Sequence, residues 1–92
     1  MDRIYLNDLY DLYKELLNDK EKLSFEDYYQ NDLSLSEIAE NNNVTRNAVH
    51  KMVKNVENKL INYEDKLKLY KKKQEILKLI ESNDIIGIRD IL

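Results

Sequence analysis

Five side chains within one short stretch, Arg46, Asn47, His50, Lys51 and Lys54, combine positive charge with hydrogen-bond donors at helical spacing. Positions 46, 50 and 54 are each four apart, so on a helix they share one face, with Asn47 and Lys51 beside them. Cations and amides held near a helix start, at the positive end of its dipole, can contact phosphate oxygens and the edges of bases. This cluster is the candidate nucleic-acid-binding set. No rival chemistry of comparable specificity is present. With one histidine, no cysteine and a single glycine, Gly87, the chain cannot assemble a tetrahedral zinc site or a glycine-rich phosphate cradle. Carboxylates are plentiful, but neighbours such as Glu26 and Asp27 read as solvated helix surface rather than an acid/base pair. The expectation is a non-enzymatic protein with no cofactor and no metal.

Two elements must position the five residues. Ser34 stands three residues before Glu37, a capping box in which the serine oxygen takes the Glu37 amide and the carboxylate returns to the serine amide. A short helix begins there, with Leu35, Ile38 and the small Ala39 on its inner stripe. Asn41, Asn42 and Asn43 follow, and asparagine tolerates the left-handed conformation that ends a helix where glycine is missing. Val44 is expected to plug the turn and Thr45 to cap the next helix, whose buried side would be Ala48, Val49, Met52, Val53 and Val56. Residues 34–60 therefore read as a helix-turn-helix unit.

Around this unit the pattern is helical throughout. Ile4, Leu6, Leu9, Tyr10, Leu12, Tyr13, Leu16 and Leu17 predict a first helix near 3–17 behind an Asp2 cap, and Leu23, Phe25, Tyr28 and Tyr29 a second near 20–31. After the recognition helix the apolar seam continues through Leu60, Tyr63, Leu67 and Tyr70 with a period near 3.5 residues. That predicts a long helix, or two broken near "INYED", running to about 82, with Leu60, Tyr63, Leu67 and Tyr70 as the interface of a homodimer and 60–82 as a dimerisation extension. Asp84 is the expected cap of a last short helix over 84–92. The tyrosines suit core or dimer packing better than base stacking, and the Lys71–Lys73 run suits a solvated face better than phosphate contact.

The bulk numbers agree with one small all-α domain over 1–92: no proline, 42% hydrophobic and 36% charged residues leave amphipathic helices and no apolar run near the ~20 residues of a membrane span. The start, "MDRIYLNDLYDLYKELL", carries charge too often for a secretory h-region, and the lack of cysteine fits a reducing cytoplasm. Charge is divided along the chain. Residues 1–40 hold 11 acidic and 4 basic side chains, a net −7, and residues 41–92 a net +4. A basic local face can bind phosphate within an acidic protein, but the acidic half would repel a duplex that came near it.

The stretch "SLSEIAENNNVTRNAVHKMVKNVENKLINYEDKLKLY", with "DLYKELLNDKEKLSFEDYYQND" before it, resembles the YlxM-like family of Gram-positive bacteria and mycoplasmas over about residues 5–80. More loosely, the central unit is similar to region 4 of bacterial sigma factors, a helix-turn-helix of the winged-helix type without a wing. Asn42 stands where that pattern usually has an apolar residue and Asn43 where glycine is common, which predicts an early end to the first helix of the unit. The YlxM-like resemblance implies a small all-helical homodimer encoded beside the signal recognition particle GTPase and its receptor, hence an accessory or regulatory factor of that pathway. Its partners would be the particle's protein or RNA. The sigma-like resemblance implies a DNA-binding transcription regulator instead, and a protein-interaction adaptor that touches no nucleic acid is the third reading.

Overall fold

The structure, a computed structural model, describes residues 2–82. Five α-helices follow one another: α1 (Arg3–Tyr13), α2 (Asp19–Tyr29), α3 (Leu35–Asn42), α4 (Arg46–Leu67) and α5 (Leu69–Glu81), with one turn of 3-10 helix at Lys14–Leu16. No strand occurs among the described residues. The expected helix over 84–92 lies outside them.

Each start is fixed by a side chain. Asp2 accepts the Ile4 amide, Thr45 accepts the Ala48 amide, and both Asn18–Glu21 and Ser34–Glu37 form full capping boxes. The α1 pattern ran on to Leu17, but the helix ends at Tyr13 and a tighter turn carries the chain on, leaving Leu17 buried and Leu16 half exposed. At the end of α2 Arg3 reaches across from α1, donating to the Tyr28 and Tyr29 carbonyls at 2.9 Å and pairing with Asp32. It thereby satisfies carbonyls that the helix leaves open. Asp32 itself takes a left-handed conformation at φ 54° and turns the chain into α3.

Helix α4 is the spine, 22 residues long and about 33 Å at 1.5 Å per residue. Its apolar stripe serves two clusters. Near its start Val49 and Val53 pack on Ile38 and Ala39 of α3; farther along, Val56 and Leu60 meet Leu6, Leu9, Tyr10, Tyr13, Leu17 and Phe25. Tyr29 touches both. The 3.5-residue seam is thus largely consumed inside the chain. Of the two expected arrangements beyond it, the structure takes the broken one, but α4 runs through "INYED" and the break falls three residues past it: Lys68 adopts φ 56°, ψ 32°, and α5 begins at the next residue.

Polar contacts tie the same helices together. Three tyrosine hydroxyls each donate to a glutamate on another helix: Tyr10 to Glu26, Tyr29 to Glu57, and Tyr13 to Glu64 at 2.7 Å. Glu26 is therefore not the solvated carboxylate its neighbourhood suggested. Burial and then the carboxylate bond push all three phenols upward, Tyr13 to about 12. Glu64 also accepts the Tyr70 and Lys71 amides, while the Leu69 amide donates to the Tyr13 hydroxyl at 3.1 Å. A residue four before the break thus caps the helix after it. Lys59 bonds the buried Glu21 at 2.5 Å. Burial alone would raise that carboxyl, but the Lys59 ammonium and the Asn18 amide outweigh it and hold it below the usual value.

Candidate nucleic-acid interface

The turn between α3 and α4 is set residue by residue. Asn43 takes the left-handed conformation (φ 54°, ψ 43°), and the Val44 amide closes the end of α3 on the Ala39 carbonyl at 3.0 Å. The early stop predicted from Asn42 does not occur. Its side chain donates to the Ile38 carbonyl at 2.8 Å and the helix runs through it, so an asparagine holds a place usually apolar by bonding back to the preceding turn. Thr45 then starts α4, and the small, buried Ala39 lies where Val49 and Val53 cross. Val44 departs from expectation more clearly. Instead of plugging the turn it is 49% exposed.

On α4 the expected face is present. Arg46, Asn47, His50 and Lys51 are all exposed, and the first turn of the helix contains no acidic residue. Among the described residues neither Arg46 nor Lys51 makes an ion pair. Lys54 is different. Its ammonium lies 3.2 Å from Glu57, three residues on, and Glu57 is itself buried and bonded by the Tyr29 hydroxyl. A carboxylate anchored by a neighbouring helix thus competes with any phosphate for Lys54. The face that remains uncompensated is Arg46, His50 and Lys51, with Asn47 among them. Its polarity suits an anion, and its place at the second helix of a helix-turn-helix suits a groove.

The four residues expected at a dimer interface separate. Leu60 is fully buried in the core of its own chain and has no surface to offer a partner. The Tyr63 ring tilts against Tyr13 at 5.9 Å, and the Tyr70 ring meets the Tyr5 ring edge-on at 5.1 Å. Leu67 alone faces outward, 46% exposed. The physical reason is the break at Lys68, which turns α5 back against α1 and spends most of the seam internally. What stays uncovered is α5 itself, which buries no residue and exposes Leu69, Leu77 and Ile80.

The sequence held signals for some of this. Glu57 is the first acid after a run of cations and sits at i+3 from Lys54, the spacing of a helical ion pair. Asn18 with Glu21 is a second capping box. The tyrosine–glutamate pairs bridge residues 16 to 51 apart and leave no local trace.

With the two capped helices, their left-handed turn and the exposed cations in place, likeness to known proteins can be set beside the geometry. A family model described as "Putative helix-turn-helix protein, YlxM / p13 like", UPF0122, matches residues 1–86. The chain belongs to the UPF0122 family. A UPF0122 protein of Fusobacterium nucleatum is 47% identical over 75 residues, covering 82% of this chain and 73% of the relative. One from Malacoplasma penetrans is 47% identical over 81 residues, with 85% and 76% covered, and one from Clostridium acetobutylicum 46% over 83 residues, with 87% and 72% covered. The UPF0122 chain is an all-α helix-turn-helix protein, and no helix among its described residues is long and apolar enough to cross a membrane.

Proposed function

We propose that this UPF0122 protein is a non-enzymatic, cytoplasmic accessory or regulatory factor of the signal recognition particle pathway, acting as a homodimer and binding nucleic acid through α4. The observation that carries the binding part is the exposed, acid-free start of α4, where Arg46, His50 and Lys51 stand on a helix capped at both sides of its turn. The pathway part rests on the family resemblance, which also favours the particle's RNA over genomic DNA as the target. Acidic charge supports the same preference. A chain whose first 40 residues carry net −7 repels a long duplex lying beside it, whereas a compact folded RNA can be approached from the basic end alone. A homodimer would cover the apolar side of α5 at Leu69, Leu77 and Ile80, together with Leu67.

The experiment is a pull-down from lysate with and without nuclease. Recovery of the particle RNA, lost on nuclease treatment, supports the proposal. Recovery of promoter DNA would favour a transcription regulator resembling sigma region 4, and partners that survive nuclease would favour a pure protein adaptor.

A further inference from the structure

A groove of about 280 Å³ opens between α2 and the helix-turn-helix. Its floor is apolar and buried, Ile38 and Val49; its walls are Leu23, Val44 and Met52, and Lys20 stands on its rim. Leu23 and Val44 are 52% and 49% exposed, on the two sides of this apolar floor. Local folding cannot hide Val44. The left-handed Asn43 and the Thr45 cap fix the backbone on either side, and the Val44 amide is already committed to Ala39. The groove is therefore preformed.

Charge and size select its occupant. No carboxylate lines the groove although the first 40 residues carry 11 acids, and Lys20 makes no ion pair among the described residues. A basic occupant would be repelled and an acidic one drawn in. The volume falls just below the roughly 300–1,000 Å³ usual for small-molecule sites. It fits instead two apolar side chains one helical turn apart, as an amphipathic helix presents them.

We propose that this groove docks an amphipathic helix of a protein partner, with apolar residues at i and i+3 or i+4 on Val44, Leu23 and Met52, and a flanking carboxylate near Lys20. On α4, at 100° per residue, Ala48 and Met52 fall on the opposite side of the buried stripe of Val49, Val53 and Val56 from Arg46 and His50, so a docked helix leaves those two accessible. The docking does not depend on nucleic-acid binding.

The test uses the full chain with isotope-labelled Leu, Val and Met methyls, titrated with a short synthetic helical peptide that has leucines at i, i+4 and i+7 among glutamates, and with a twin in which lysine replaces every glutamate. Saturable shifts at the Leu23, Val44 and Met52 methyls with the acidic peptide, and none with the twin, are the expected result. Val44→Glu should weaken the acidic peptide at least about tenfold. Lys20→Glu, a change in the first turn of α2 where an acid suits the helix dipole, should keep the fold and reverse the preference between the peptides. Equal binding of the twin, shifts confined to α5, or groove shifts that grow with protein concentration before any peptide is added would overturn the proposal, the last by placing a second copy there.

Discussion

Replacing Tyr13 by phenylalanine tests how α5 is held to the rest of the molecule. The hydroxyl is buried, donates to Glu64 at 2.7 Å and accepts the Leu69 amide at 3.1 Å, so one atom joins α1, the end of α4 and the start of α5. Hydrogen bonds to charged groups contribute about 1.5–3 kcal/mol. Glu64 keeps the Tyr70 and Lys71 amides after the change, which leaves its charge solvated by two donors and places the loss near the lower half of that range, about 2 kcal/mol. For a domain of this size that lowers the melting midpoint by about 8–16 °C. Hydrogen exchange should speed at the Tyr70 and Lys71 amides more than at Val53 or Val56. The pH dependence gives a second reading. A phenol raised from its ordinary 10.0 to about 12 stabilises the fold fully below pH 10, and that contribution is lost as pH rises through about 12. Wild type and Tyr13→Phe should therefore differ most below pH 10 and converge above it. A midpoint within about 2 °C of wild type at pH 8, with unchanged exchange in α5, would refute the reasoning.

Other outcomes follow from the same packing. At a protein concentration too low for the proposed dimer, Leu60→Ala should cost about 2–5 kcal/mol in urea unfolding, since the side chain is fully buried, whereas Leu67→Lys at a half-exposed position should cost under about 0.5 kcal/mol. Similar losses at the two sites would contradict the view that the seam is spent inside the chain. If the proposed homodimer forms through α5, Ile80→Glu should convert it to monomers in sedimentation while leaving helicity intact; a persistent dimer would move the interface off α5. The Glu21 carboxyl lies below its usual value, so its contribution is present above the unfolded value near 4.5 and lost as pH falls through the lower folded one. Lys59→Met removes the principal partner that lowers it, and the variant should lose less stability than wild type between pH 5 and pH 3 in thermal scans.

The all-α fold and its helix-turn-helix were legible because local rules agreed: Ser34–Glu37, Asn43 and Thr45 each did in the structure what their side chains favour. The break at Lys68 was less legible. Neither glycine nor proline marks it, and the seam runs through it unchanged, so only the long-range lock of Tyr13 on Glu64 and Leu69 shows why the chain turns there. The exposed face at Arg46, Asn47, His50 and Lys51 could be read from spacing. The diversion of Lys54 to Glu57 could be suspected from i+3 spacing, but the hydrogen bond that fixes Glu57 comes from Tyr29, which is 28 residues away. Val44 departs from the pattern, in which a valine after the turn faces inward, because α2 leaves a groove beside it. Sequence periodicity reports which residues can be buried together, and it does not report where neighbouring helices stop short.

The proposal that α4 binds nucleic acid is tested most directly by affinity against salt for the particle RNA, with wild type and with an Arg46→Gln/Lys51→Gln double variant. With Lys54 held by Glu57, each protomer offers two uncompensated cations, so a dimer should engage about four phosphates and give a slope of log affinity on log salt near −3.6 for helical RNA or DNA and −2.8 for single strands. The double variant should bring the slope close to zero while circular dichroism and dimer mass stay unchanged. A wild-type affinity independent of salt, or a slope that survives the double substitution, would contradict the account.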